Sequence, residues 1–228
     1  MNPDFWLERW QENEIGFHLN DTNPVLLRHW YTMPVDIGAR VLMPLCGKSV
    51  DVLWLLKQGF QVVGVELSEI ALDALADAIE AEFGLAVDKQ KVNGHWLYRA
   101  AGIRLICADW FTLTAKELGA VEAVYDRAAL IALPPEMRSA YSKHLLHLVG
   151  TVPQLLVTMN YDQELMNGPP FAVSVEDVST YYGDASEGQW LHCDVLEERE
   201  LINEEPRFRQ RGLTSLQQTV YRLTKRIA

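Results

Sequence analysis

A lone acid, Glu66, ends a β-rich run 19 residues after Gly47. In nucleotide-binding sheets an acid about that far beyond a glycine loop accepts hydrogen bonds from ribose hydroxyls. The pair therefore points to an adenosine-type ligand, against the plainer alternative of an acid that merely ends a buried strand. Asp109-Trp110-Phe111 can add to such a site: an acceptor for an adenine amino group beside aromatic rings that can stack on the base, although Asp109 is equally suited to capping a turn. Arg127 follows Asp126 at the end of another apolar run, where a guanidinium meets a carboxylate of the protein or of a ligand. His18 stands alone and reads as structural. His144 and His147 are three apart on one helical stretch but lack nearby acids or cysteines, so no metal site is expected.

These side chains need a parallel βαβ unit to hold them, and the stretch from Arg40 to Glu66 predicts one. Val41, Leu42 and Met43 form an apolar run that breaks at Pro44, and Gly47 supplies a sharp turn or a close approach to a ligand. Val50, Leu53 and Trp54 repeat at helical spacing toward a stop at Gly59, and Gln61 to Val65 reads as the second strand. The crevice of such a unit lies beyond the carboxyl ends of its strands, where Gly47 and Glu66 both fall. The Gly47-Lys48-Ser49 triplet is not a P-loop, because that motif needs glycine where this chain has Leu42. The G-x-G-x-x-G fingerprint is also absent, which leaves less room for a pyrophosphate.

The rest of the chain supports one large α/β domain over residues 1–228. Asn2-Pro3 and Asn23-Pro24 each predict a capped helix start, so residues 1–35 form a helical arm with Trp6 and Trp10 on one face and Phe17 beyond them. Ser68 caps a helix with the stripe Leu72, Leu75, Ala76, Ile79 and Phe83, ending at Gly84. Residues 96–100 and 103–107 predict a hairpin. Val121 to Tyr125 and Gln154 to Thr158 are further strands, with a helix between them that opens at Pro134-Pro135 and packs through Met137, Tyr141, Leu145 and Leu148. Ser174 and Asp177 form a capping box. Leu191 to Leu201 and Ser215 to Thr224 alternate as antiparallel strands around a charged stretch, Glu204 to Arg211, expected to be a solvated loop.

Twenty Lys and Arg stand against 31 acids, a formal net charge of −11. Such a surface repels phosphate backbones, which argues against nucleic acid and anionic membranes as partners. No run of eighteen apolar residues and no signal peptide is visible, so the expected location is the cytoplasm. Cys46, Cys107 and Cys193 suit reduced thiols better than disulfides. No long apolar stripe is left unassigned, which favours a monomer.

Five βα-like units, a reversed last strand and one nucleoside-binding acid are similar to the class I methyltransferases, a three-layer, Rossmann-like, mostly parallel sheet. More specifically, the chain resembles the thiopurine S-methyltransferase family in its bacterial form. Trp6 to Trp10, Ile15-Gly16-Phe17-His18, Pro44-Leu45-Cys46-Gly47-Lys48-Ser49, Gly64-Val65-Glu66-Leu67-Ser68, Asp126-Arg127 and Gly168-Pro169-Pro170-Phe171 carry the resemblance. It implies S-adenosylmethionine as cofactor, held by Trp10, Leu45, Glu66 and Arg127 with Asp109 and Trp110 at the adenine. It also implies a small thiol acceptor near Phe17, Arg127 and Arg207; by their own chemistry Arg127 is expected to act in catalysis and the aromatic arm to close as a lid. Selenium or tellurium compounds are the alternative acceptors the family suggests. A nicotinamide-dependent oxidoreductase is the alternative of another class, disfavoured by the missing glycine fingerprint.

Overall fold

The computed structural model describes residues 3–183 and 191–226, which fall into two compact units, Met1–Val124 and Tyr125–Ala228. The first unit opens with α1 (Pro3–Gln11) and α2 (Pro24–His29). It continues with β1 (Arg40–Pro44), α3 (Asp51–Lys57), β2 (Gln61–Glu66), α4 (Glu69–Phe83), β3 (Asp88–Val92), β4 (His95–Ala100), β5 (Ile103–Cys107) and α5 (Ala115–Leu118). Strand β6 (Ala123–Asp126) carries the boundary. The second unit adds α6 (Ala129–Ala132), α7 (Pro135–Val149), β7 (Gln154–Asn160), α8 (Val175–Tyr182), β8 (Leu191–Glu200), α9 (Pro206–Gln210) and β9 (Gln217–Lys225). Among the described residues no helix is long and apolar enough to cross a membrane.

In the first unit the strand order is β3-β4-β5-β2-β1-β6. Strands β1, β2, β5 and β6 are mutually parallel, as their Val- and Leu-rich runs require, since a parallel strand is buried on both faces. Val41, Leu42 and Val65 have no exposed surface, and Val62 and Val63 almost none. The hairpin expected over residues 96–107 is present as β4 and β5. Side-chain alternation along it assigns the layers. Tyr98 points to α4, donating to Asp73 at 2.7 Å. Its neighbour Arg99 is paired in register with Arg104, whose guanidinium donates to the Glu117 carbonyl of α5 at 2.6 Å. Helices thus cover both faces.

Strand β3 was not visible in the sequence. Its residues, Asp-Lys-Gln-Lys-Val, carry no apolar alternation because it is an exposed edge. It is fastened by Lys89, whose ammonium lies 2.7 Å from Glu69 and 2.6 Å from Asp73 and sits over the rings of Trp96 and Tyr98. A lysine on an edge also discourages pairing with other chains.

The second unit has the order β6-β7-β9-β8, with β9 antiparallel to both neighbours, which supplies the expected reversed last strand. In α7 Tyr141, Leu145 and Leu148 are buried as expected, but Met137 gives way to Arg138, which is 1% exposed. Arg138 donates from Nε to the Leu133 carbonyl at 3.0 Å and places Nη1 3.7 Å from Asp177 of the capping box. The charged stretch near residue 207 is not the expected loop. Pro206 starts α9, and Phe208 enters a cluster of Tyr161, Met166, Leu201, Ile202, Leu213 and Leu216. One aromatic in a charged run was enough to anchor it.

In the first unit, helix starts follow their capping residues: Asn23 accepts from the Val25 N–H at 2.8 Å, and Ser68 from the Ala71 N–H at 3.3 Å. Asn2 lies outside the described residues. Asn23 also donates its own N–H to the buried Asp51 at 2.7 Å, fixing α2 to the start of α3. Gly64 in β2 has a steric role: a Cβ there would lie 2.8 Å from Cys46 Sγ and 2.9 Å from Leu105 Cδ2. Gly64→Ala is expected to cost about 1–3 kcal/mol in urea unfolding, as overpacking of a tight core does. Cys46→Ala should recover part of that loss in the double variant; an unchanged midpoint for Gly64→Ala would contradict the packing.

Candidate functional site

The carboxyl ends of β1, β2 and β5 lie side by side, because Pro44 is in register with Val65 and Glu66 with Cys107. Beyond β1 the chain turns through two left-handed residues, Leu45 (φ 48°) and Gly47 (φ 53°). For leucine that conformation is strained, and such strain gathers where backbone is shaped for a ligand. The turn is held because Cys46 N–H still donates to the Val65 carbonyl at 3.0 Å.

Glu66 closes the loop. Its Oε2 accepts from Gly47 N–H and its Oε1 from Ser68 N–H, both at 2.9 Å, and the residue is 6% exposed. Burial pushes its carboxyl above the usual range, and the N–H groups of Ser68, Gly47 and Leu67 pull it back. Each carboxylate oxygen keeps a second lone pair, so the group can still accept from a diol.

The arm brings its aromatics to this loop. Trp10 is 7% exposed, and a Cβ on Gly47 would lie 2.9 Å from Trp10 Cζ2, so only glycine permits this approach. Phe17 packs edge-on against Trp10 at 5.5 Å and Trp6 at 5.6 Å between ring centroids. After β5, Asp109 caps a short turn by accepting from Phe111 N–H at 2.9 Å. The capping role is therefore real, and it uses Oδ1 alone. Trp110 is buried in the core at 2% exposed, while Phe111 is the ring that meets solvent.

Burial also raises the two thiols nearby, Cys46 well up and Cys107 to about 12, so neither is an activated nucleophile.

In the second unit Arg127 stands immediately after β6, and among the described residues its guanidinium has no hydrogen bond or ion pair. Of the two partners the sequence left open, a protein carboxylate is not found among the described residues. Arg207, by contrast, lies 3.0 Å from Glu205 and stacks over Phe208. It is Arg211 that reaches the Gly168–Phe171 loop, donating to the Pro169 carbonyl at 3.3 Å. That contact was missed because three arginines alternate in this stretch, and only the turn of α9 selects one.

Asp126 was also missed as a site residue. It is 1% exposed and accepts from Ala129 N–H at 3.0 Å, Leu130 N–H at 3.3 Å and the Tyr141 hydroxyl at 2.7 Å. Its position beside Arg127 was the available signal.

The fold is that of the class I methyltransferases. A crystal structure of a SAM-dependent methyltransferase from Anabaena variabilis shares the fold with a TM-score of 0.64 at 17% identity, covering 99% of this chain and 96% of that one. The magnesium protoporphyrin IX methyltransferase of Synechocystis PCC 6803 gives 0.63 at 12% identity over 98% of this chain and 99% of that one. The particular family follows from closer relatives. Residues 1–226 match the model of the family described as thiopurine S-methyltransferase (TPMT). The thiopurine S-methyltransferase of Pseudomonas fluorescens SBW25 is 44% identical over 227 residues, covering 99% of this chain and all of that one. That of Pseudomonas aeruginosa UCBPP-PA14 is 45% identical over 226 residues, with 99% and 100% covered. The chain belongs to the thiopurine S-methyltransferase family and is an S-adenosylmethionine-dependent methyltransferase. The nicotinamide-dependent alternative is thereby set aside.

The residues fit that cofactor. Glu66 has lone pairs left for a ribose diol, and Gly47 beside it admits Trp10 at a distance that a Cβ would forbid.

Burial raises the Asp126 carboxyl from 3.8 to about 6, with Tyr141 and the Leu130 and Ala129 N–H groups pulling it down; Tyr182, buried nearby, feels its charge. Because the folded value lies above the unfolded one, its stabilising effect is full below about pH 4 and lost as pH rises through 6. At 1.36 kcal/mol per unit the change is about 3 kcal/mol. The stability of Asp126→Asn relative to wild type should therefore rise by about that amount between pH 4 and 7 in urea titrations. A flat difference across this window would refute the assignment.

Proposed function

We propose that this chain moves the methyl of S-adenosylmethionine to the sulfur of an aromatic or heterocyclic thiol of the thiopurine type, by in-line displacement. The observation that carries the reading is the buried Glu66 carboxylate, oriented by two backbone N–H groups of the flanking turns in a chain of this family. When bound, the cofactor supplies a methyl group on a sulfonium.

Glu66 orients the ribose, Trp10 and Leu45 bound the cofactor, and Asp109 takes the adenine with Trp110 behind it in the core. Phe17 and Arg207 are the residues we assign to the acceptor. Arg127 serves both ligands and favours the acceptor as its thiolate. Residues 1–35 act as the arm of a single catalytic domain and exclude water when they close. Holding the acceptor sulfur in line can supply about 7–11 kcal/mol of barrier lowering in a favourable case. No nucleophile on the protein is required, which agrees with the raised thiols of Cys46 and Cys107. A net charge of −11 suits a cationic cofactor, and a monomer in the cytoplasm is the setting we infer.

Reduced or oxyanionic selenium and tellurium species form a second acceptor class. An anion beside Arg127, whose guanidinium has no partner among the described residues, would meet the same requirement.

Transfer of labelled methyl to 6-mercaptopurine and to selenite, run in parallel, separates these readings. Label in the thiopurine, reduced by about a hundredfold or more in Glu66→Ala, is the expected result. Label in neither acceptor despite cofactor binding would overturn the proposed acceptors. Arg127→Ala is expected to lower kcat more than it weakens cofactor affinity; an unchanged rate at saturating acceptor would remove Arg127 from catalysis.

A further inference from the structure

We propose that Asp126 is a positioning residue for the reaction: with Tyr141 it fixes the turn that presents Arg127, and it acts only through that arginine. The inference rests on the role proposed for Arg127.

Arg127 has nothing of its own to hold it, since its guanidinium has no partner among the described residues. Its direction must come from the backbone that carries it. That backbone leads into α6, a helix of 4 residues whose N-cap position is Ala128, with no side-chain cap. A single helical turn does not fix its own start, because nucleation orders several residues for one hydrogen bond. Asp126 provides the missing fixation from two residues earlier. One oxygen takes the N–H groups of Ala129 and Leu130, and the other takes the Tyr141 hydroxyl of α7 at 2.7 Å. The far end of α6 is fixed as well, by Phe171 N–H donating to the Ile131 carbonyl at 2.7 Å. Arg127 is therefore the free side chain of a segment clamped at both ends.

The clamp is more than an ordinary cap. Capping acids usually sit in water, whereas Asp126 is 1% exposed and anchored to a separate helix by a fully buried tyrosine. A buried acid is costly to keep for stability alone. A displacement near 1 Å of a group that orients reactants costs about a hundredfold in rate, so a fixed turn has a catalytic consequence.

The test is a mutant cycle in the full-length protein, using methyl transfer to 6-mercaptopurine, affinity for S-adenosylhomocysteine by calorimetry, and circular dichroism as the check of folding. Asp126→Ala is expected to lower kcat/KM about tenfold to a hundredfold. Asp126→Asn keeps an acceptor for both N–H groups and should recover activity to within about threefold of wild type. Asp126→Ala combined with Arg127→Ala should be no slower than Arg127→Ala alone, as for residues that act as a unit. Additive losses, or full activity in a folded Asp126→Ala, would overturn the proposal. Should Asp126→Ala not fold, the cycle is read from Tyr141→Phe with Arg127→Ala, where non-additivity supports it and additivity overturns it. If the wild type methylates no thiol, the acceptor reading fails separately. The cycle is then read from S-adenosylhomocysteine affinity: equal, non-additive weakening supports the clamp, and wild-type affinity in Asp126→Ala overturns it.

Discussion

The hydrogen bonds that Glu66 accepts from Gly47 and Ser68 tie together the two turns on which the carboxyl end of the first unit's sheet is built. One carboxylate at the tip of β2 reaches back to the loop after β1 and forward to the start of α4. A buried acid is stable only when donors surround it, and here they come from backbone that would otherwise be unsatisfied at the ends of a strand and a helix. The left-handed Leu45 is held in the same way, since the loop continues to donate to β2 through Cys46 N–H. The arm depends on this geometry too, because Trp10 rests on a glycine whose position Glu66 fixes.

The second unit repeats the device. Asp126, at the tip of β6, is likewise buried, raised by desolvation and held by the N–H groups of the following turn. Each unit therefore carries one acid at a strand's carboxyl end that shapes the loop beyond it. The two differ in what is left over. Glu66 retains lone pairs beyond the two N–H groups it accepts, which suits direct contact with a polar ligand. Asp126 has one oxygen engaged by the turn and the other by Tyr141, which suits a structural hold on its neighbour. Burying either acid in a chain of net charge −11 is costly, and each is kept by the backbone donors of the turn it shapes.

Where the structure departs from the pattern of the sequence, local composition was the weak guide. Strand β3 has no apolar face because one charged side chain, Lys89, secures it from beside the sheet. Helix α9 exists because Phe208 finds a pocket among residues from three other stretches of the second unit. Neither partner lies within reach of a local window. Arg138 shows the same limit, since a buried arginine is unexpected until the Leu133 carbonyl and Asp177 are seen beside it.

By itself the sequence determined the parallel βαβ unit, the helix starts at Asn23 and Ser68, the reversed last strand, and the pairing of Gly47 with Glu66. These depend on periodicity, capping chemistry and fixed spacing, which are properties of neighbouring residues. The motifs around them also placed the chain in its family. Only the tertiary structure decided that Arg127 has no partner among the described residues, that Arg211 meets the Pro169 loop, and that Asp126 is buried against Tyr141. Each of those outcomes depends on groups 15 or more residues apart arriving at one place, and on how much water the surrounding core removes from them. Spacing along the chain encodes neither.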